Sequence, residues 1–148
     1  LTGWRLAVLA MLAGLAWPVM AAAPCPNQGL ATRTAIFTTA KGRFSYQLEI
    51  ARSAEQQACG MMFRAAMKPG TGMSFPMSPP KETAFWMENT ILPLDIIYVA
   101  RGGRVLNVQR GQPYSRQLLP SAGAAADVIE LAAGEAARIG LKPGDRVQ

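Results

Sequence analysis

Alternation of apolar and polar positions dominates the first half of the chain. Across residues 43–51, Phe44, Tyr46, Leu48 and Ile50 fall on one side and Arg43, Ser45, Gln47 and Glu49 on the other. That period of two is the signature of a strand with one buried face. Residues 34–39 repeat it, and Lys41 with Gly42 between the two runs predicts a hairpin turn. The pattern then shifts. Ser53 precedes Ala54, Glu55, Gln56, Gln57 and Ala58, so its hydroxyl can cap a short helix while Gln56 completes the reciprocal box and Gly60 stops the helix.

Beyond Gly60, a turn over residues 68–72 leads into an apolar strand over 73–77, and Pro79 and Pro80 predict an exposed loop. Residues 85–87 and 94–100 read as strands separated by a bend at Pro93. Arg101, Gly102 and Gly103 then turn the chain into a strand over 104–110. Residues 111–126 form a weakly patterned excursion. A last clear strand covers 127–132, a short helix covers 134–139 before Gly140, and a turn over 142–145 precedes an edge strand. Many short strands with two short helices predict a small β-dominated α+β domain, with a closed or partly closed barrel as its candidate architecture.

The first residues stand apart from this pattern. After Arg5, residues 6–20 are almost wholly apolar and lead into Ala21, Ala22 and Ala23, the layout of a secretory signal peptide rather than of a bilayer-spanning helix. The expected organisation is a signal peptide over 1–22, a flexible segment over 23–34 and one domain over 35–148. An uncleaved anchor or a buried N-terminal helix is the alternative. Export predicts a periplasmic or secreted protein, without stable membrane insertion after cleavage. It also places Cys25 and Cys59 in an oxidising compartment, where they either form the single available disulfide or remain a tail thiol and a small buried hydrophobe.

Charge and chemistry narrow the function classes. The net charge of +6 is spread along the chain, without the basic stripe and stacking aromatics of a nucleic-acid site. There is no histidine, which removes the usual general base and the commonest metal ligand, although a serine and lysine pairing stays open. No cofactor and no metal site is indicated. Soft copper(I) binding through Met61, Met62, Met73, Met77 and Met87 is a remote alternative to plain apolar packing. The expected state is a monomer.

The richest segment is FWMENTILPLDIIYV, residues 85–99. Asp95 interrupts its apolar run, so it is either buried and paired, with the Arg64 fork as the expected partner, or an acid at a cleft. Trp86 beside Glu88 and Asn89 suits a sugar or peptide surface, and otherwise closes the core while Asn89 makes a turn. Tyr114, on the long excursion, is a candidate rim residue. The ligand-binding candidates are therefore Trp86, Asn89, Arg64, Asp95 and Tyr114, and an enzyme would use Asp95 as acid or base with Arg64 orienting an anion.

Four groups of residues recur in a known order: Gly60, Met61, Met62, Phe63 and Arg64; Gly72, Met73 and Phe75; Phe85, Trp86, Met87, Asn89, Thr90, Pro93, Leu94, Asp95 and Ile96; and Glu130, Leu131, Gly134, Gly140, Gly144 and Asp145. In these the chain resembles the DUF192 family. Met61 replaces a leucine of the family pattern, and Ser74 stands where another leucine is common. The resemblance implies a compact β-rich domain and supplies no settled reaction, ligand or cofactor. The function expected on these grounds is a small exported binding or accessory domain of the cell envelope, with an envelope polysaccharide or peptide as partner; the enzyme reading and a purely structural role are its rivals.

Overall fold

The structure, a computed structural model, describes residue 25 and residues 27–148. Its elements run in the order β1 (Thr32–Thr39), β2 (Gly42–Ile50), α1 (Ala54–Cys59), β3 (Thr71–Lys81), β4 (Ala84–Phe85), β5 (Leu94–Val99), β6 (Val105–Gly111), β7 (Leu119–Pro120), β8 (Ala125–Ala132), α2 (Glu135–Ile139) and β9 (Arg146–Val147). Seven strands form one sheet in the order β6, β5, β8, β3, β2, β1, β9, while β4 and β7 pair separately. Among the described strands only β2 and β3 pair in parallel, and α1 lies in their crossover. The sheet curls into a strongly bent half-barrel. Its two edges meet at one corner, where Arg104 bridges Arg146 and the Val147 amide donates to the Gly103 carbonyl at 2.8 Å. No helix among the described residues is long and apolar enough to cross a membrane.

Because successive strand residues point to opposite faces, the curled sheet supports two cores. The concave side holds Phe37, Tyr46, Leu48, Ile97, Ile129 and Leu131, closed by Ala136, Ile139 and Leu141 from α2 and the turn after it. The convex side holds Met73, Phe75, Ile96, Tyr98 and Val128, covered by Met61 and Met87. Each fully buried large side chain contributes about 1.5–3 kcal/mol. This two-sided burial explains why β5 is buried at all six positions and reads as a continuous apolar run.

Local signals match the chain closely. Ser53 and Gln56 form the reciprocal capping box of α1, and the Gly60 amide closes its end on the Gln56 carbonyl. Two segments differ from expectation. β3 continues through Pro79 and Pro80 to Lys81, with its register against β8 broken between Pro76 and Lys81, as prolines that lack an N–H require. The signal-peptide reading lies outside the described residues. Within the segment read as a flexible lead-in, Cys25 is bonded to Cys59, Asn27 is buried and β1 already begins at Thr32. The bridge closes 34 residues of chain, and closing a loop of that size stabilises a fold by about 3–4 kcal/mol.

Candidate functional site

The convex face is where the molecule is incompletely filled. β3, β5 and β8 present Met73, Phe75, Ile96, Tyr98, Val128 and Glu130 outward in cross-strand register. Gly72 lets these strands approach, since a Cβ there would lie 2.4 Å from the Glu130 carbonyl oxygen. α1 and the turn after it cover one part of this face. Residues 84–90 cover another, tied to the long excursion by the Met87 amide, which donates to the Ser115 carbonyl at 2.8 Å. Between them remains a cleft of about 140 Å³ lined by Gln57, Met61, Met62, Phe75, Phe85, Trp86, Thr90 and Glu130.

Glu130 sets the electrostatics of this cleft. It is only 4% exposed, and its Oε2 has no hydrogen-bond partner among the described residues. Burial pushes its carboxyl up to about 8, opposed by the positive charge of Arg64. At neutral pH the group is therefore mostly protonated and able to donate one hydrogen bond, or to ionise against an incoming positive charge. Trp86 stands at the mouth, 46% exposed. Phe75 and Phe85 pack edge to face behind it with centroids 5.0 Å apart.

A wider, open groove of about 1000 Å³ adjoins the cleft and shares Cys59 and Met62 with it; Asn27, Glu49, Phe63, Arg64 and Lys68 also line it. Its central charges are already matched. Arg64 Nη1 donates to Glu49 and Nη2 donates to the Asn27 carbonyl at 2.6 Å. Asn27 Nδ2 donates to the carbonyls of Gln56 and Gly60 at 2.8 and 2.7 Å, which leaves the buried Asn27 Oδ1 without a partner.

Around both concavities the backbone is strained. Phe63, Asn89 and Tyr114 have φ of 62°, 53° and 60°, a left-handed conformation that costs non-glycine residues energy and concentrates where structure serves binding. The three are linked: the Phe63 amide donates to the Asn89 carbonyl at 2.9 Å, and the Tyr114 amide donates to the Thr90 carbonyl at 3.1 Å. Phe63 and Tyr114 are thereby held 62% and 63% exposed.

A family model described as Uncharacterized ACR matches residues 35–148. The chain belongs to the DUF192 family. Two solved structures are similar to this DUF192 domain. A protein of unknown function from Novosphingobium aromaticivorans DSM 12444 is 42% identical, with a TM-score of 0.79 over 83% of this chain and 89% of that one. A candidate transcription regulator from Sinorhizobium meliloti 1021 is 33% identical, with a TM-score of 0.77 over 80% of this chain and 94% of that one. No curated protein matches.

The DUF192 motif residues divide between the two faces, and so do the expected site residues. Asp95 points to the concave side, where Oδ1 accepts from Arg110 Nε at 2.8 Å and Oδ2 accepts from the Gly134 and Ala136 amides at 2.9 Å each. The expected pairing of Asp95 with Arg64 is thus corrected. Asp95 and Arg110 are directly opposed in the β5–β6 ladder, whereas Arg64 lies on the convex side with Glu49. Trp86 lines the cleft and Arg64 the groove, while Asn89 and Tyr114 act through their backbones.

Met61, Met73 and Met87 are buried in the convex core, and Met62 and Met77 are half-buried. Among the described residues no three of Cys, Asp and Glu gather as a metal cluster. Ser74, one of the two departures from the family pattern, is buried, and its Oγ donates to Asp127 at 2.9 Å, which Arg33 also holds. Glu130 is the cleft residue that the sequence reading does not single out for chemistry. The signal was present, because Glu130 interrupts the apolar strand of Val128, Ile129 and Leu131 just as Asp95 interrupts its own.

Proposed function

We propose that this domain is a ligand-binding module whose cleft, between Trp86 and Glu130, takes one small group of a larger ligand. The observation that carries the reading is a half-exposed indole at the mouth of a cleft whose lining includes a buried carboxyl oxygen with no partner among the described residues. Buried polar atoms are normally paired, and an acid lining a cleft with one oxygen unpaired among the described residues supports a partner from outside the chain. An indole supplies apolar area at low entropic cost. The left-handed Phe63 and Tyr114 extend the exposed aromatic surface.

Binding is favoured over catalysis through Asp95, because both oxygens of Asp95 are committed to Arg110 and to the start of α2. An envelope polysaccharide or a peptide is the ligand class proposed. The site of action proposed is the periplasm or exterior, a reading supported by the apolar N-terminal run in the sequence and by the Cys25–Cys59 bridge.

Calorimetric titration of the full chain against glycan and peptide panels tests the proposal. A binder is expected, with affinity lowered about tenfold or more by Trp86→Ala, the usual scale for a stacked aromatic anchor. Binding that is indifferent to Trp86→Ala, or no binder at all, overturns it.

A further inference from the structure

Resting on the reading of this cleft as a ligand site, we propose that its occupant is a small organic cation, a primary or methylated ammonium group, held by the Glu130 carboxylate and the rings around it. The walls decide the class. Around Glu130 the lining brings together the thioethers of Met61 and Met62 and the rings of Phe75, Phe85 and Trp86, while its neutral polar side chains, Gln57 and Thr90, already donate to backbone carbonyls. Polarizable sulfur and the negative face of an aromatic ring attract a cation, and the attraction strengthens when water is excluded. Phe75 and Phe85 are engaged with each other edge to face, which leaves Trp86 at the mouth as the ring that receives the charge. A volume of about 140 Å³ suits a head group rather than a whole ligand, so the rest of the molecule extends past Trp86 into the adjoining groove.

The protein's own charges do not fill this role. Arg64 is the cation whose field reaches Glu130, yet its guanidinium is bonded to Glu49 and to the Asn27 carbonyl. From β5, Tyr98 faces the same region, its hydroxyl donated to the Leu119 carbonyl and its pKa raised chiefly by burial and further by Glu130. Glu88, two residues beyond Trp86, is taken by Arg116. Among the described residues, none puts a counter-charge in contact with the Glu130 carboxyl. A cation entering the cleft supplies one and draws the proton off the acid.

Choline and its neutral isostere 3,3-dimethylbutan-1-ol are the probes. They are titrated into the full chain with Trp4 and Trp17 replaced by phenylalanine, so that Trp86 is the sole indole and reports by fluorescence. Choline is expected to bind with an affinity that rises about fiftyfold from pH 6 to pH 8 and levels above pH 9, because binding needs the ionised acid and Glu130 titrates at about 8. The neutral alcohol is expected to bind at least tenfold more weakly at pH 9. Glu130→Gln, which keeps the side-chain shape, is expected to abolish the choline response and its pH dependence.

Equal binding of the two probes, choline binding that weakens as pH rises, or no choline response overturns the cation inference. The wild-type pH profile and the probe comparison hold even should Glu130→Gln fail to fold. If choline fails while a glycan or peptide still binds in a Trp86-dependent way, the cation is wrong and the cleft stands as a ligand site. If every probe and panel fails, both readings fall.

Discussion

At the scale of single residues, two acids that look alike in the sequence have opposite fates. Asp95 and Glu130 each interrupt an apolar strand, and both are nearly inaccessible, at 2% and 4% exposure. Asp95 spends its charge on a guanidinium and two amides. Glu130 has no such partners, and burial holds its carboxyl at about 8. A buried acid with a raised pKa binds its proton more tightly folded than unfolded, so the unfolded state releases the proton first as pH rises. The fold is unpenalised below the ordinary glutamate range and loses stability progressively between about pH 4.5 and 8. Glu130→Gln removes that penalty. Its melting temperature is expected to match wild type near pH 4 and to exceed it at pH 9 by several degrees, a gain on the order of 2 kcal/mol or more. Thermal unfolding at the two pH values checks this, and a gain that is the same at both would show that Glu130 is not buried as an acid.

Among the elements, α2 depends on a residue forty positions away in the chain. It is five residues long, its N-cap Gly134 makes no side-chain cap, and no isolated helix of that length is stable. Asp95 substitutes for a cap by accepting from the amides of Gly134 and Ala136, where a negative charge is favoured. Asp95→Ala leaves the buried Ala136 amide unpaired and is expected to cost about 2–4 kcal/mol, read as a lower denaturant midpoint. The half-exposed Arg110 returns to water at little cost. Ligand responses at Trp86 are expected to persist below the melting point, and their loss in a folded Asp95→Ala protein would restore Asp95 to the site. This dependence marks what the sequence could reveal. The hairpin of β1 and β2 and the capping box of α1 are local, written in alternation and in residues three apart. The partners of Asp95 and Arg64 are set by which face of a curled sheet each residue takes, and that parity is fixed only when β5 finds β6 and β8. The cleft was half legible for the same reason. Trp86 announced itself in a motif, whereas Glu130 became distinctive only once β3, β5 and α1 had buried it without a partner.

Across the whole molecule, closing the half-barrel gathers positive charge at its seam. The register places Arg43 opposite Thr38, Thr38 opposite Arg146, and Arg146 opposite Arg104, so three exposed arginines share one row across neighbouring strands. Arg146 Nη1 donates to the Gly102 carbonyl at 3.2 Å, which steadies the side chain without neutralising it. Arg146 and Arg104 are directly opposed, an arrangement in which like charges repel, and Arg43 lies two strand spacings of about 4.8 Å from Arg146, still within the screening length of dilute buffer. Sheet closure therefore proceeds against an electrostatic cost that the concave core outweighs. Arg146→Glu turns the directly opposed repulsion with Arg104 into an attraction and reverses the weaker one with Arg43 across Thr38. It is expected to raise stability by about 0.5–1 kcal/mol at low ionic strength, the scale of exposed cross-strand pairs. The gain is expected to fade in about 1 M salt, where the screening length is about 3 Å. Urea unfolding at the two ionic strengths decides the matter: a gain that survives high salt would have to come from packing rather than charge, and no gain at low salt would mean that the three guanidinium groups splay apart in solution despite their common register.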